Sequence, residues 1–290
     1  MIEIKPLAGV PIEAITDAFN AAFFDHELTF TATPAYLRER FAASGVRYDL
    51  SYGAYDGNRL VGFMINCADD YGGMSAAFDA ATGIIPEYRG RGLIYQIANA
   101  VMAELTENDI RKYALEVLQT DERAIHIYEK LGLKITRNFF SYTGTPKLRD
   151  DAKHGVMVVP IADFKNELAE FPCDRLPSWE NSDAAIFRNA ANVEAAYISE
   201  KSVGEDGGAA RGAIAAYAVF HRTKGLIHQL QVQPEYRRKG LATTLVKYVW
   251  EHSGKVTVNN IDQDDEIAAA FWSASGLRLY ARQYMMEKMI

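Results

Sequence analysis

The chain has 290 residues, 49% of them hydrophobic and 24% charged, and its 31 basic and 38 acidic side chains leave a net charge of -7. That composition excludes intrinsic disorder for most of the chain, and the acidic balance excludes a basic nucleic-acid groove as its main surface. Two cysteines, Cys67 and Cys173, make neither a disulfide framework nor a zinc spacing, and no apolar run approaches the ~20 residues that span a bilayer.

In chain order, Ile2–Leu7 alternates as a strand and Ile12–Phe23 reads as a helix. Residues Met1–Pro6 lack the basic start and apolar block of a signal peptide, so a reducing cytoplasm is the expected compartment. A second helix opens at Pro34, whose fixed φ suits a first turn. Tyr48–Tyr55 and Arg59–Cys67 read as strands joined by a hairpin turn at Asp56-Gly57-Asn58, and Ser75–Ile85 as a third strand. Leu93, Ile94, Ile97, Ala98, Val101, Met102 and Leu105 then form one apolar helix face. Tyr113–Leu118 is a short strand, and Asp121 caps a helix carrying Ala124, Ile127, Tyr128 and Leu131, which Gly132 ends. A polar seam follows at Thr143–Gly155. Glu200–Gly212, with its glycines and charges, reads as a mobile loop. Arg211–His221, Leu226–Val232 and Lys255–Val258 are strand-like. Leu241, Leu245 and Val249 share a helix face, and Ile267–Ser273 is a further helix.

The motif Pro86-Glu87-Tyr88-Arg89-Gly90-Arg91-Gly92-Leu93 recurs as Pro234-Glu235-Tyr236-Arg237-Arg238-Lys239-Gly240-Leu241, identical at six of eight positions. Leu131-Gly132-Leu133 has a weaker echo in Ser275-Gly276-Leu277. Two matches in the same order, each offset by nearly half the chain, argue for two copies of one domain, residues 1–145 and 146–290. Each repeated turn joins a strand to a helix. Unpaired N–H groups of the helix start, glycines that admit close approach and flanking cations together form a pyrophosphate cradle. The Rossmann pattern fails at Tyr95, where its third glycine belongs, and no P-loop motif is present.

The order of strand, Pro-Glu-Tyr-Arg turn, helix, Leu-Glu-Val strand and Ala124-x-x-x-Tyr128-Glu129-Lys130-Leu131-Gly132-Leu133 resembles the GNAT superfamily of acyl-CoA-dependent N-acyltransferases. The resemblance covers the first half and, more weakly, the second. It implies an α/β (α+β) chain of two GNAT-like domains, each a twisted mixed sheet of about six or seven strands flanked by helices. It also implies acetyl-CoA, or another acyl-CoA, bound where two parallel strands splay, with no metal. The phosphate signature of the family is matched in full by Arg237-Arg238-Lys239-Gly240-Leu241-Ala242. The first copy, Arg89-Gly90-Arg91-Gly92-Leu93-Ile94, departs at Ile94. Asp121 and Asp265 stand where the family often has an asparagine beside the pantetheine arm, and Ile84, Ile85 and Val232 are assigned to the cofactor at the strand ends. Tyr128 stands where the family's general acid does, whereas the second copy has Trp272 there.

Chemistry supports Tyr128 in that role. A phenol of pKa about 10 stays protonated at neutral pH and can donate to a departing thiolate. The amine must lose a proton to attack, and Asp79 and His228, on corresponding strands, are the candidate bases. A backbone N–H near Ile84 or Ile85 is expected to polarise the acyl carbonyl. Trp179, in Leu176–Ser182, either lines an acceptor cleft or packs between the domains, and the structural reading is favoured because a lone Trp in a Pro-Ser turn usually covers core. The expected acceptor is a small-molecule or peptide amine, with no nucleic-acid or membrane partner, and the oligomeric state is not readable. A non-catalytic acyl-CoA-binding module is the alternative.

Overall fold

The computed structural model describes residues 1–25, 31–147, 154–171, 175–200 and 212–290. Cys173, residues 148–153 of the seam and residues 201–211 of the glycine-rich loop lie outside them. The chain folds as two compact units, Met1–Thr136 with Met285–Ile290, and Arg137–Tyr284.

The first unit runs β1 (Ile2–Pro6), α1 (Ile12–Phe23), α2 (Pro34–Ser44), β2 (Tyr52–Asp56), β3 (Arg59–Asp70), β4 (Ser75–Ile84), α3 (Leu93–Glu107), β5 (Lys112–Leu118) and α4 (Glu122–Lys130). The strand expected from Tyr48 begins at Tyr52, because Tyr48–Leu50 close a 3₁₀ turn in which Ser51 Oγ donates to the Arg47 carbonyl over 2.7 Å. Strand β6 (Lys134–Gly144) leads into the second unit, which continues β7 (Met157–Pro160), α5 (Lys165–Glu170), α6 (Asp183–Arg188), β8 (Val193–Ser199), β9 (Ile214–His221), β10 (Leu226–Val232), α7 (Leu241–Ser253), β11 (Val256–Asp262) and α8 (Glu266–Ala274). The last strand is β12 (Arg278–Met289).

Both units repeat one plan. In the first, β1 to β4 pair antiparallel in chain order and β5 lies parallel to β4. In the second, β7 to β10 pair antiparallel and β11 lies parallel to β10, with β6 antiparallel on its far side. This is the mixed sheet with flanking helices expected from the sequence. Helix α3 buries Leu93, Ile97, Ala98, Val101 and Leu105 of its apolar face, and α7 buries Leu241, Leu245, Val246 and Val249. At about 1.5–3 kcal/mol for each large aliphatic side chain, this burial fixes where each helix starts.

Strand pairing sets the geometry of the later chemistry. The parallel ladders are short, ending at Asp79–Leu115 in the first unit and at Ile227–Val258 in the second. Beyond those pairs the strands part. Just there, each inner strand carries a bulge, at Ala80 in β4 and His228 in β10, where its partner strand skips one residue. A bulge puts two successive side chains on one face.

The first unit is completed by the end of the chain. Residues of β12 lie next to β5, with Ile290 N–H donating to the Arg111 carbonyl and Lys112 paired with Glu287 at 3.1 Å. Met285 and Met286 are fully buried. Deleting Met285–Ile290 should therefore lower the first unit's stability by roughly 3–6 kcal/mol, the burial of two methionines, read as a lower melting temperature by circular dichroism. An unchanged melt would contradict the strand's place in that sheet. No helix among the described residues is long and apolar enough to cross a membrane.

Candidate active site

The two repeated turns have one backbone design. Each is a 3₁₀ turn, Pro86–Tyr88 or Pro234–Tyr236, followed by two left-handed positions before the helix. In the first copy these are Gly90 and Gly92, at φ of 74° and 71°; in the second they are Arg238 and Gly240, at 62° and 85°. Arg238 therefore holds a conformation that costs a side-chain-bearing residue on the order of 1 kcal/mol, strain of the kind that collects at binding sites. Neither α3 nor α7 has a side-chain cap; Tyr95 N–H turns back to the Gly92 carbonyl over 3.2 Å, which leaves the N–H groups of Leu93 and Ile94, and those that open α7, for a ligand. Such a nest of donors suits an anion.

The leading arginines of the motifs shape the turn. Arg89 Nε donates to the Ile84 carbonyl and Arg237 Nε to the Val232 carbonyl, over 3.0 and 3.1 Å. The rest of Arg89 binds Asp25 through two nitrogens and the Ala22 carbonyl through one, so its charge is already matched. Arg91 lies over the Tyr88 ring and Lys239 over Tyr236, at 4.7 and 4.9 Å. The expected N–H donor at Ile85 is engaged, since it gives its hydrogen to the Val61 carbonyl over 3.0 Å. Asp121 and Asp265 cap α4 and α8, accepting from Ala124 N and Ala268 N over 2.9 and 3.0 Å. The side chains of Leu93 and Leu241 are buried, so these residues can offer a ligand only their backbone, and Ile94 is half-buried.

In the second unit a cleft of about 900 Å³ opens on the turn. Its walls include Val232, all of Arg237–Thr243, Asp265, Ile267, Phe271 and Trp272. Lys147, which sequence reasoning passed over, joins Arg237, Arg238 and Lys239 on the lining against Asp265 as the lining's carboxylate. A polyanion fits that balance.

In the first unit the splay holds a buried acid–base cluster. Thr82 Oγ1 donates to Asp79 Oδ2 over 2.5 Å, while Asp79 Oδ1 is buried with no hydrogen-bond partner. Strict alternation would put Asp79 and Thr82 on opposite faces; the bulge at Ala80 brings them to one. Burial raises the Asp79 carboxyl to about 7. Tyr113 donates to Asn66 Oδ1 over 2.9 Å beside it. The Tyr128 hydroxyl, from α4, meets Thr82 and the Asp79 charge, and burial with that charge pushes its pKa well above 10. Thus the structure brings Tyr128 and Asp79 together. Thr82 and Tyr113, which the sequence did not single out, complete the group.

In the second unit the matching cluster is different. Trp272 is buried in the core and lines the cleft. His228 and Gln229 both bond to Asn181, in the 3₁₀ turn Trp179–Asn181 that precedes α6. Trp179 is buried, 1% exposed.

The family model described as Acetyltransferase (GNAT) family matches residues 12–133 and again 163–276. A curated relative, N-alpha-acetyltransferase 30 of Schizosaccharomyces pombe, is 27% identical over 104 residues, 35% of this chain and 69% of that protein. Among solved structures, a tandem GNAT protein from the clavulanic acid biosynthesis pathway superposes with a TM-score of 0.72 at 15% identity, covering 100% of this chain and 98% of that one. A GCN5-related N-acetyltransferase from Sphaerobacter thermophilus gives 0.69 at 13% identity, over 99% and 95% of the two chains.

Proposed function

We propose that this chain, which belongs to the acetyltransferase (GNAT) family, holds acetyl-CoA or another acyl-CoA at two unequal sites, tightly in the second unit and more weakly in the first. As a family member the chain is an N-acetyltransferase, taking the acyl group from CoA to an amine. The observation that carries the tight site is the cleft over the Arg238–Ala242 turn, with its unspent N–H groups and four lining cations. Those groups suit the phosphates, and the apolar wall of Ile267, Phe271 and Trp272 suits the pantetheine arm. In the first unit the bulkier Ile94 stands at the first helical turn, and weaker binding is the consequence.

The first unit carries the acid and base for direct transfer. Asp79 Oδ1 takes the proton of the amine, and Tyr128 donates to the sulfur as it leaves. The acceptor is a peptide or small-molecule amine. The name of the yeast relative makes peptide α-amines the first probe.

A pH profile tests the base. Asp79 must be ionised to accept a proton, and its carboxyl is raised to about 7, so turnover should rise with pH through that value. The expected result, with acetyl-CoA and a mixture of tetrapeptides bearing free α-amines, is an acidic limb near neutrality that disappears in Asp79→Asn with most of the activity. A profile unchanged in Asp79→Asn would contradict the assignment.

A further inference from the structure

Helices α4 and α8 end alike, with Leu131 before Gly132 and Ser275 before Gly276, both glycines at positive φ. The carbonyl just before each glycine needs a donor from outside its own helix. In the first unit the ammonium of Lys288 fills that need, its Nζ donating to the Leu131 carbonyl over 3.0 Å. In the second unit the backbone fills it, Lys147 N–H donating to the Ser275 carbonyl over 2.7 Å. The two lysines are thus engaged differently. Lys147 is fixed at the helix end by its main chain, while its side chain stays exposed and lines the cleft. Among the described residues its ammonium has no ion-pair or hydrogen-bond partner. The main chain is held closely, since a Cβ at Gly276 would lie 2.6 Å from Lys147 Cβ.

Lys147 belongs to the polar seam between the two copies, not to the repeated motif. The same seam meets the wall of the cleft again at His154, whose Nε2 donates to the Lys239 carbonyl over 2.9 Å, because a carbonyl can only accept. Charge then decides what such a lysine is for. The N–H groups that open α7, with Arg238 and Lys239 beside them, already suit a diphosphate, which carries one negative charge on each phosphate. Four lining cations against Asp265 leave the lining three charges positive, one more than a diphosphate neutralises. A phosphate monoester brings about 1.5–2 further negative charges. CoA carries such a group on the 3′ oxygen of its ribose.

We propose that Lys147 holds the 3′-phosphate of acyl-CoA in the second unit, and so sets which acyl thioesters that unit accepts. This rests on the reading that the cleft takes acyl-CoA. The thioester it selects is that of free CoA. A thioester of phosphopantetheine, the form borne on carrier proteins, has a single phosphate and no 3′-phosphate, and it binds weakly. In the first unit the lysine at the matching helix end is turned to the Leu131 carbonyl instead.

Calorimetric titration of the full chain with CoA and with 3′-dephospho-CoA tests this without knowledge of the acceptor. The tighter transition, identified by its weakening in Gly240→Val, should favour CoA about 10-fold or more, the worth of a hydrogen bond between charged groups. Lys147→Gln should lower CoA affinity to that of dephospho-CoA and leave dephospho-CoA binding unchanged, because the backbone bond to Ser275 remains. Lys147→Arg should keep most of the preference. Equal affinities in the unaltered protein, or a preference that survives Lys147→Gln, would overturn the role of Lys147 alone. Binding of neither ligand would overturn the cleft reading and this proposal with it.

Discussion

Replacing Tyr128 with Phe should leave acetyl-CoA binding intact and cut turnover in the first unit by about 10²- to 10⁴-fold, the usual worth of a positioned acid. The phenyl ring keeps the packing of α4 against the strands and removes only the hydroxyl. That hydroxyl is the group the chemistry needs. A thiolate leaving in a low-dielectric site is costly until a proton reaches it, and Tyr128 is kept protonated by burial and by the charge of Asp79. The effect is read with thiol release from acetyl-CoA as the signal. A melting curve guards against misfolding, because the change leaves Thr82 with one fewer polar neighbour. Undiminished turnover would remove Tyr128 from the mechanism.

Much of this was legible in the sequence, and the reasons are specific. The repeated Pro-Glu-Tyr-Arg turn announced both helix starts, because Gly92 and Gly240 sit at positive φ, where other residues pay strain. The caps at Asp121 and Asp265 were readable from their spacing to the apolar faces; Asp121 was read as a cap and Asp265 only through the family resemblance. What escaped was set by pairing between distant segments. The bulges at Ala80 and His228 are not encoded in any local pattern, yet they decide that Asp79 shares a face with Thr82 and His228 with Gln229. Asn181 drew no notice as a polar residue in a turn, and its meaning comes from Asn259, 78 positions away. Arg238 occupies the left-handed position that Gly90 fills in the first copy, so composition hid the match. The place of Met285–Ile290 in the first unit likewise depends on contacts that no periodicity records.

The second large effect concerns the cleft. Gly240→Val should weaken acetyl-CoA binding about 100-fold, close to 2.7 kcal/mol. A β-branched residue at φ of 85° is strained, and its side chain would stand where the first N–H groups of α7 meet a phosphate. The strain costs about 1–2 kcal/mol of stability, which a folded unit can absorb, so the variant should still melt cooperatively. The counterpart change, Gly92→Val, should touch only the weaker site. Calorimetric titration separates the two.

Backbone hydrogen exchange of the intact protein, titrated with acetyl-CoA, reads the two loops directly. Exchange at Arg238–Ala242 should slow first, at low ligand concentration, and exchange at Gly90–Ile94 only at higher concentration. Saturation with acetyl-CoA that leaves Arg238–Ala242 unchanged, or that protects Gly90–Ile94 alone, would contradict a tight acyl-CoA site in the second unit.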